Sequence, residues 1–294
     1  MIAPGKTRLQ RTAEGWVGQF QAMASPCELQ VRDVSRSRAE QILKVVSGEA
    51  WRVEQRYSRY RDDNPLAALH RAGGNWVEVD EEFDRLLDYA DQCWRLSDGH
   101  FDITSGVLRR VWRFDGSDRI PAAADVKALL PLIGWQKVAR ESGRVRLPVG
   151  MELDLGGVGK EYAVDRCLQL ARQLTDSDVL INFGGDLAVS GEQPWQVGIE
   201  NLHQNGVAAR IPLRSGAVAT SGDSRRFLLR DGHRYSHVLN PFTGWPVEGG
   251  PHSVTVLATH CTQAGMLATL ALLRGADAEP FLRAEGVRHW CLWE

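Results

Sequence analysis

The stretch LDLGGVGKEYAVD, residues 153–165, places three glycines and a lysine where a strand is predicted to change into a helix. Glycines allow a backbone to approach an anion closely, and the free N–H groups at a helix N-terminus favour negative charge. The loop therefore suggests a phosphate site formed by Gly156, Gly157, Gly159 and Lys160. Its spacing matches neither the dinucleotide-binding G-x-G-x-x-G pattern nor the P-loop. Tight packing of helix against strand explains the glycines equally well.

Secondary structure on both sides of the loop follows no regular alternation. Residues 144–155 are predicted as a hairpin whose second strand, MELDL, leads into the loop, and a helix is predicted over about 160–174. Asp231-Gly232 is a hairpin signal. The mixed order of strands and helices predicts an α+β fold rather than a Rossmann fold. Residues 115–134 are the most linker-like stretch, but we expect a single domain over residues 1–294.

Composition excludes several classes of function. The net charge of −2 gives no basic surface for nucleic acid. No apolar run approaches the roughly 20 residues that span a bilayer, so no membrane insertion is expected. The first residues show no apolar secretory segment, which predicts a cytoplasmic protein, or a periplasmic one if the N-terminus is incomplete. Five scattered cysteines form neither a disulfide framework nor a zinc pattern.

Three further stretches carry polar residues next to predicted turns. NFGGD, residues 182–186, ends a predicted strand, and by itself a structural turn explains it best. SDGHFDIT, residues 97–104, follows a helix, where it can hold a ring through main-chain contacts or simply end the helix. RYSHVLNPFTGWPV, residues 234–247, contains His237 among small polar residues, which makes this histidine a candidate acid–base group as well as a packing residue.

Taken in chain order, the motifs resemble those of the FAD:protein FMN transferases, the ApbE family. The resemblance extends from Met23 to about Gly275. The matching motifs are MAS (23–25), SRY (58–60), DGHFDIT (98–104), DLGGVGKEYAVD (154–165), NFGGD (182–186), ATSG (219–222), YSHVLNPFTGWP (235–246), SVTV (253–256) and AGMLAT (264–269). One such match would be chance, but nine in order are strong evidence of relationship.

The resemblance implies a mixed, single-domain fold of the ApbE (T-fold-like) type and a specific reaction. Such enzymes use FAD as a substrate together with Mg2+. They transfer FMN to a threonine of an acceptor flavoprotein, forming a phosphoester and releasing AMP. Phosphoryl transfer of this kind depends mostly on positioning and charge stabilisation. The glycine loop is then expected to hold the pyrophosphate of FAD and part of a metal shell.

The resemblance also assigns roles to individual residues. Tyr60 stacks on the flavin ring and Met23 lies beside it, while His237 is the acid–base candidate near the accepting hydroxyl. The Gly157 carbonyl and the Thr269 hydroxyl correspond to metal ligands. The remaining expected FAD contacts are His100, Phe101, Asp102, Asp154, Lys160 and the main chain near Leu239.

Four positions depart from the family motifs, and the first of them, Gly159, replaces an alanine before Lys160. Gly265 stands where the family has an aspartate four residues before the threonine, so one carboxylate of the metal shell is missing. Thr262 and Gln263 could offer replacement oxygens, but neither is charged. Glu161 replaces a glycine and adds negative charge beside an anionic ligand, unless its side chain points away along the helix, and Asn240 replaces an aspartate. On the sequence alone, Gly265→Asp is expected to tighten magnesium binding with little change in the fold.

Two alternatives to the transferase remain open at this point. An FAD pyrophosphatase would use the same site with water as the nucleophile. A non-catalytic FAD-binding protein would be the result of a degraded metal site at Gly265. Magnesium-dependent release of AMP separates the second alternative from the two enzymes. A gain of FMN mass on the acceptor separates the transferase from the pyrophosphatase.

Overall fold

The computed structural model describes residues 5–200, 207–223 and 227–293. Its strands are β1 (Arg8–Thr12), β2 (Gly15–Ala22), β3 (Ser25–Val31), β4 (Trp76–Glu78), β5 (Ala139–Glu141), β6 (Arg144–Arg146), β7 (Val179–Phe183), β8 (Asp186–Glu200), β9 (Val207–Gly222), β10 (Phe227–Arg230), β11 (His233–Ser236), β12 (Ser253–Ala258) and β13 (Arg288–Leu292). Its α-helices are α1 (Arg36–Tyr57), α2 (Pro65–Arg71), α3 (Glu81–Leu96), α4 (Ala123–Leu129), α5 (Gly159–Arg172), α6 (Cys261–Leu273) and α7 (Ala278–Ala284). Short 3₁₀ helices cover Ile103–Arg110, Leu130–Leu132, Trp135–Lys137 and Gly275–Asp277.

Within these residues, the main sheet has eight strands in the order β1-β2-β3-β7-β8-β9-β12-β13. Every neighbouring pair is antiparallel. A Rossmann fold requires a largely parallel sheet with helical crossovers. The predicted α+β class is therefore confirmed.

The helices α1, α5 and α6 form a layer on the main sheet. In α1, Ile42, Val46, Ala50 and Val53 recur at helical spacing and are almost completely buried. Such a stripe directs one face of an amphipathic helix into the core. In α6 the residues are apolar on nearly every side, because this helix packs between β9, β12 and α5. The packing of α5 against α6 positions the loop that precedes α5.

Two ends of elements follow local residue preferences, and the second confirms the predicted hairpin at Asp231-Gly232. Asp80 caps α3, and its side chain accepts a hydrogen bond of 3.0 Å from the Phe83 N–H. Asp231 and Gly232 join β10 to β11, and both have positive φ, at 52° and 77°. A two-residue turn with positive φ at both positions matches the right-handed twist of the paired strands.

The predicted strand MELDL before the glycine loop is wrong. Residues 151–155 form no strand, and β6 pairs instead with β4 and β5. The segment is largely buried, and its backbone finds other partners: the Leu153 N–H donates to His70 Nε2 (2.8 Å), and the Asp154 N–H donates to the Ile103 carbonyl (2.8 Å). The linker-like residues 115–134 also contain structure, because α4 lies within them.

Among the described residues, no helix is long and apolar enough to cross a bilayer.

Candidate functional site

The glycine loop forms a tight turn directly before α5. Asp154 Oδ1 accepts a hydrogen bond of 2.9 Å from the Gly156 N–H. A Cβ added at Gly157 would lie 3.3 Å from Cε2 of the Phe101 ring, so this glycine allows the loop and the ring to approach closely. Gly159 begins α5, and a Cβ there would meet nothing within 4 Å. Gly156 and Gly157 are exposed, whereas Val158 and Gly159 at the start of α5 are buried, so the accessible backbone of the turn is that of the first two glycines.

Arg59 links the loop to the aromatic residue predicted to stack on the flavin. Its guanidinium forms an ion pair with Asp154 and donates a hydrogen bond of 3.0 Å to the Tyr60 hydroxyl. Burial acts to lower the pKa of Arg59, but the Asp154 charge together with the contacts to Tyr60 and the Glu152 charge outweighs it, and the pKa is raised. The Tyr60 side chain is 70% exposed, so its ring is accessible to a ligand.

The segment 100–102 is held firmly against the protein. The Phe101 N–H donates to Ser97 Oγ (2.8 Å), and the His100 ring lies 5.0 Å from Phe242 in an edge-to-face arrangement. Asp102 is buried, and its two carboxylate oxygens accept hydrogen bonds from the Thr104 N–H, the Thr104 hydroxyl and the Trp135 N–H. The Asp102 side chain therefore orders the segment, and a ligand contact here would fall to the main chain or to His100.

Lys160 lies at the first turn of α5 and pairs with a carboxylate on the sheet. Its Nζ is 2.5 Å from Oδ2 of Asp186, a buried residue at the start of β8. The other Asp186 oxygen accepts a hydrogen bond of 3.0 Å from the Thr220 N–H. Burial acts to lower the pKa of Lys160, but the charges of Asp186 and Glu161 outweigh it, so the pKa is raised. Lys160 is thus a charged, positioned ammonium beside the loop.

The predicted metal ligand Thr269 lies on α6 beside the sheet. Its hydroxyl is 2.8 Å from the Ser221 hydroxyl at the end of β9. Asp165 of α5 accepts hydrogen bonds from the N–H groups of Cys261 and Thr262, at 2.7 and 2.9 Å, and from the Thr262 hydroxyl, at 2.8 Å. Thr262 is therefore already committed to the junction between α5 and α6, and it is a poor replacement for the missing carboxylate.

The Glu161 side chain packs from α5 against Gly265 of α6. A Cβ added at Gly265 would lie 2.6 Å from Cγ and 3.1 Å from Oε1 of Glu161. An aspartate at position 265 therefore requires the Glu161 side chain to move, and its expected effect on magnesium binding stays a prediction. Burial and the nearby Asp186 charge raise the pKa of Glu161.

The oxygens around α5 and α6 fit a magnesium ion that also binds phosphate. Among the described residues, no group of three or more His, Cys, Asp or Glu side chains converges as a metal cage. Magnesium in phosphate-transfer sites is usually held by one or two carboxylates together with substrate phosphates. Glu161 offers a buried carboxylate against Gly265, and Thr269 offers a hydroxyl one helical turn further along α6.

The other predicted residues lie on separate elements. Met23 has a positive φ of 51° in the turn between β2 and β3, and its N–H donates to Glu54 Oε1 (2.9 Å). His237 directly follows β11, with its ring 6.2 Å from Phe114. Leu239 forms an isolated antiparallel bridge with Pro246.

Asn240, which stands where the family motif has an aspartate, stabilises a turn through its side chain. Its side-chain oxygen accepts hydrogen bonds from the N–H groups of Phe242 and Thr243, at 2.8 and 3.3 Å. An amide oxygen serves as well as a carboxylate oxygen in such a turn.

Sequence reasoning missed four residues that the structure adds to the site: Arg59, Glu161 as a buried carboxylate, Asp186 and Ser221. All four lie inside quoted motifs. Their positions in SRY, GKEYAVD, NFGGD and ATSG could have identified them as candidate site residues. The motifs do not show, however, which of these side chains contact each other.

Comparison with known proteins agrees with this geometry. The ApbE family pattern matches residues 23–289. The chain is 32% identical over 245 residues to the FAD:protein FMN transferase of Treponema pallidum, covering 75% of this chain and 67% of that protein. It is 29% identical over 263 residues to the FAD:protein FMN transferase of Klebsiella pneumoniae, covering 87% of this chain and 81% of that protein.

Solved structures show the same fold. The ApbE protein of Thermotoga maritima superposes with a TM-score of 0.85 at 28% identity, covering 97% of this chain and 93% of that chain. The flavinyl transferase ApbE of Pseudomonas stutzeri has a TM-score of 0.81 at 24% identity, covering 96% and 90%. The α+β fold is thus of the type that these structures share. The chain belongs to the ApbE family, as the motifs predicted, and the match reaches beyond Gly275 into β13.

Proposed function

We propose that this protein is an FAD:protein FMN transferase that attaches FMN to a threonine of an acceptor flavoprotein and releases AMP. The observation that carries the proposal is the glycine loop at the start of α5, with Asp154 on one side and Lys160 on the other. Relatives named FAD:protein FMN transferase match three quarters of the chain or more. We also propose that residues 1–294 form one flavin-transferase domain. A cytoplasmic location remains a prediction.

In the proposed reaction, the threonine hydroxyl oxygen forms a bond to the FMN phosphorus. The bond from that phosphorus to the bridging pyrophosphate oxygen breaks, and AMP leaves with that oxygen. The hydroxyl proton passes to His237, which we assign as the general base. A positioned acid–base group of this kind typically contributes about 10²–10⁴-fold in rate.

The chain's own residues would bind and orient FAD. The exposed Tyr60 ring, aligned by Arg59, offers a surface for the flavin, with Met23 beside it. The backbone of the loop and the Lys160 ammonium would receive the pyrophosphate, since Asp186 holds that ammonium at the start of α5. The further contacts that we propose are His100, Phe101, Asp102, Asp154 and the main chain at Leu239.

A magnesium ion would be held by the Thr269 hydroxyl and the Gly157 carbonyl. When bound, it supplies positive charge that neutralises the pyrophosphate oxygens. Thr269 is aligned for this role by its contact with Ser221.

The test is incubation with FAD, Mg2+ and an acceptor peptide carrying Asp-Gly, Ser or Gly, Ala and Thr, followed by intact-mass measurement. The expected result is a peptide gaining the mass of FMN less water, with one AMP released for each modification. A matched peptide with valine in place of the threonine should remain unmodified. AMP release without peptide modification would instead establish the pyrophosphatase. FAD binding without AMP release would establish the non-catalytic protein.

A further inference from the structure

Gly265 and Glu161 fit each other across the contact between α5 and α6. A Cβ at position 265 would lie 2.6 Å from Cγ and 3.1 Å from both Cδ and Oε1 of Glu161. Protein Cβ atoms do not approach other heavy atoms to 2.6 Å, so Glu161 in this position requires a glycine at position 265. The Glu161 carboxylate therefore takes up the space that a side chain on α6 would otherwise fill.

The Glu161 carboxylate is buried and one of its oxygens lacks a partner. The residue is 7% exposed, and within the described residues Oε2 makes no hydrogen bond. The nearest basic group, Lys160, is paired with Asp186. The neighbouring Asp165 is saturated by its three hydrogen bonds to the start of α6. A buried carboxylate oxygen without a partner is costly, and it is usually compensated by a cation or a proton.

Two residues that could share a cation with this oxygen lie one helical turn from Glu161 or from its contact residue Gly265. Thr269 is one helical turn after Gly265, so its hydroxyl and the Glu161 carboxylate face the same side of α6. Gly157 is one turn before Glu161, where the loop leads into α5. A carboxylate, a hydroxyl and a carbonyl are hard oxygen donors, and such donors suit magnesium and manganese.

We infer that Glu161 on α5 supplies the carboxylate ligand of the magnesium site, in place of the aspartate missing from α6 at position 265. The inference rests on the proposed function, which requires magnesium beside the pyrophosphate. The two departures from the family motifs, Glu161 and Gly265, then form a single compensated change. The carboxylate has moved from α6 to α5, and the glycine makes room for it.

Direct metal binding tests the inference without reliance on turnover. Mn2+ is titrated into the full chain, with and without FAD, and free Mn2+ is followed by electron paramagnetic resonance. Glu161→Gln keeps the shape of the side chain and removes its charge, so we expect Mn2+ affinity to fall about tenfold or more, as loss of even a supporting group at metal sites costs 10–100-fold. Glu49→Gln is the matched control, because Glu49 is a partly buried helical glutamate that is paired with Arg52 and Arg166. It should leave Mn2+ affinity unchanged.

Relocation of the carboxylate is the stronger test. Gly265→Asp combined with Glu161→Gly should recover most of the Mn2+ affinity lost in Glu161→Gln. Gly265→Asp alone should not increase it. Wild-type affinity in Glu161→Gln, or a double variant as weak as Glu161→Gln, would overturn the inference. If the wild type transfers FMN and binds Mn2+ while Glu161→Gln binds it equally well, the proposed function stands and only the assignment of Glu161 fails. A wild type that binds no Mn2+ overturns both the assignment and magnesium dependence.

Discussion

A stability measurement on Gly265→Ala examines the contact between α5 and α6 independently of any ligand. Alanine in a helix interior is favoured over glycine by about 0.8–1.0 kcal/mol. At position 265 the new Cβ would lie 2.6 Å from Glu161 Cγ, and overpacking of a core typically costs about 1–3 kcal/mol. The two effects oppose each other, so Gly265→Ala should change the free energy of unfolding by between about 0 and 2 kcal/mol in the destabilising direction.

Gly48 provides the matched control for this change. It is an exposed glycine within α1, and a Cβ there would meet nothing within 4 Å. Gly48→Ala should therefore stabilise the protein by about 0.8–1.0 kcal/mol. In a Glu161→Ala background the obstacle at position 265 is removed, and Gly265→Ala should then become stabilising by a similar amount. The change of sign between the two backgrounds measures the coupling of the two residues.

Urea unfolding followed by circular dichroism gives the free energy of unfolding and its dependence on denaturant for each variant. The reasoning is refuted if Gly265→Ala stabilises the wild type as much as Gly48→Ala does. It is also refuted if the effect of Gly265→Ala is the same with and without the Glu161 side chain, because the steric conflict would then not involve Glu161.

Three further predictions concern the ligand site and the segment beneath it. His237→Ala should slow FMN transfer by about 10²–10⁴-fold while FAD affinity, measured by calorimetry, stays near the wild-type value; a joint loss of FAD binding and thermal stability would instead mean that His237 only packs. Lys160→Met should weaken binding of FAD more than binding of FMN, since FMN lacks the pyrophosphate, and calorimetry that shows equal losses would remove the lysine from that role. Burial lowers the pKa of His70, whose Nε2 accepts the Leu153 N–H, so the unfolded chain takes up this proton more readily than the folded one. Stability should therefore fall as pH drops below about 6.5, the unfolded value, and urea unfolding at several pH values should show a shallower fall in His70→Gln; an identical pH dependence in both proteins would exclude His70 as the source.

Features that depend on neighbouring residues followed from the sequence. The turn at Asp231-Gly232 was predicted correctly, because it rests on the backbone preferences of two residues. The helix after the glycine loop was predicted over 160–174 and lies at Gly159–Arg172. The family also followed from the sequence, since its motifs keep their order along the chain.

The segment 151–155 shows where local patterns misled. Its alternating apolar residues favour a strand, but a strand also needs a neighbour with free hydrogen-bonding groups. Here the partners of the backbone are the His70 side chain and the Ile103 carbonyl, which belong to distant parts of the chain. The apolar pattern therefore predicted the burial of this segment correctly, but it predicted wrongly that its backbone pairs with a neighbouring strand.

The sequence by itself determined which residue types reach the site: the glycines, Lys160, the motif threonine on α6 and the departure at Gly265. Only the tertiary structure decided how they combine. Helical spacing shows which residues share a face of α5, but not which of those faces meets α6. That choice depends on how both helices pack on the sheet. The packing brings Glu161 against Gly265, although the two residues are far apart in the chain. In the sequence they are two unrelated departures from the family motifs.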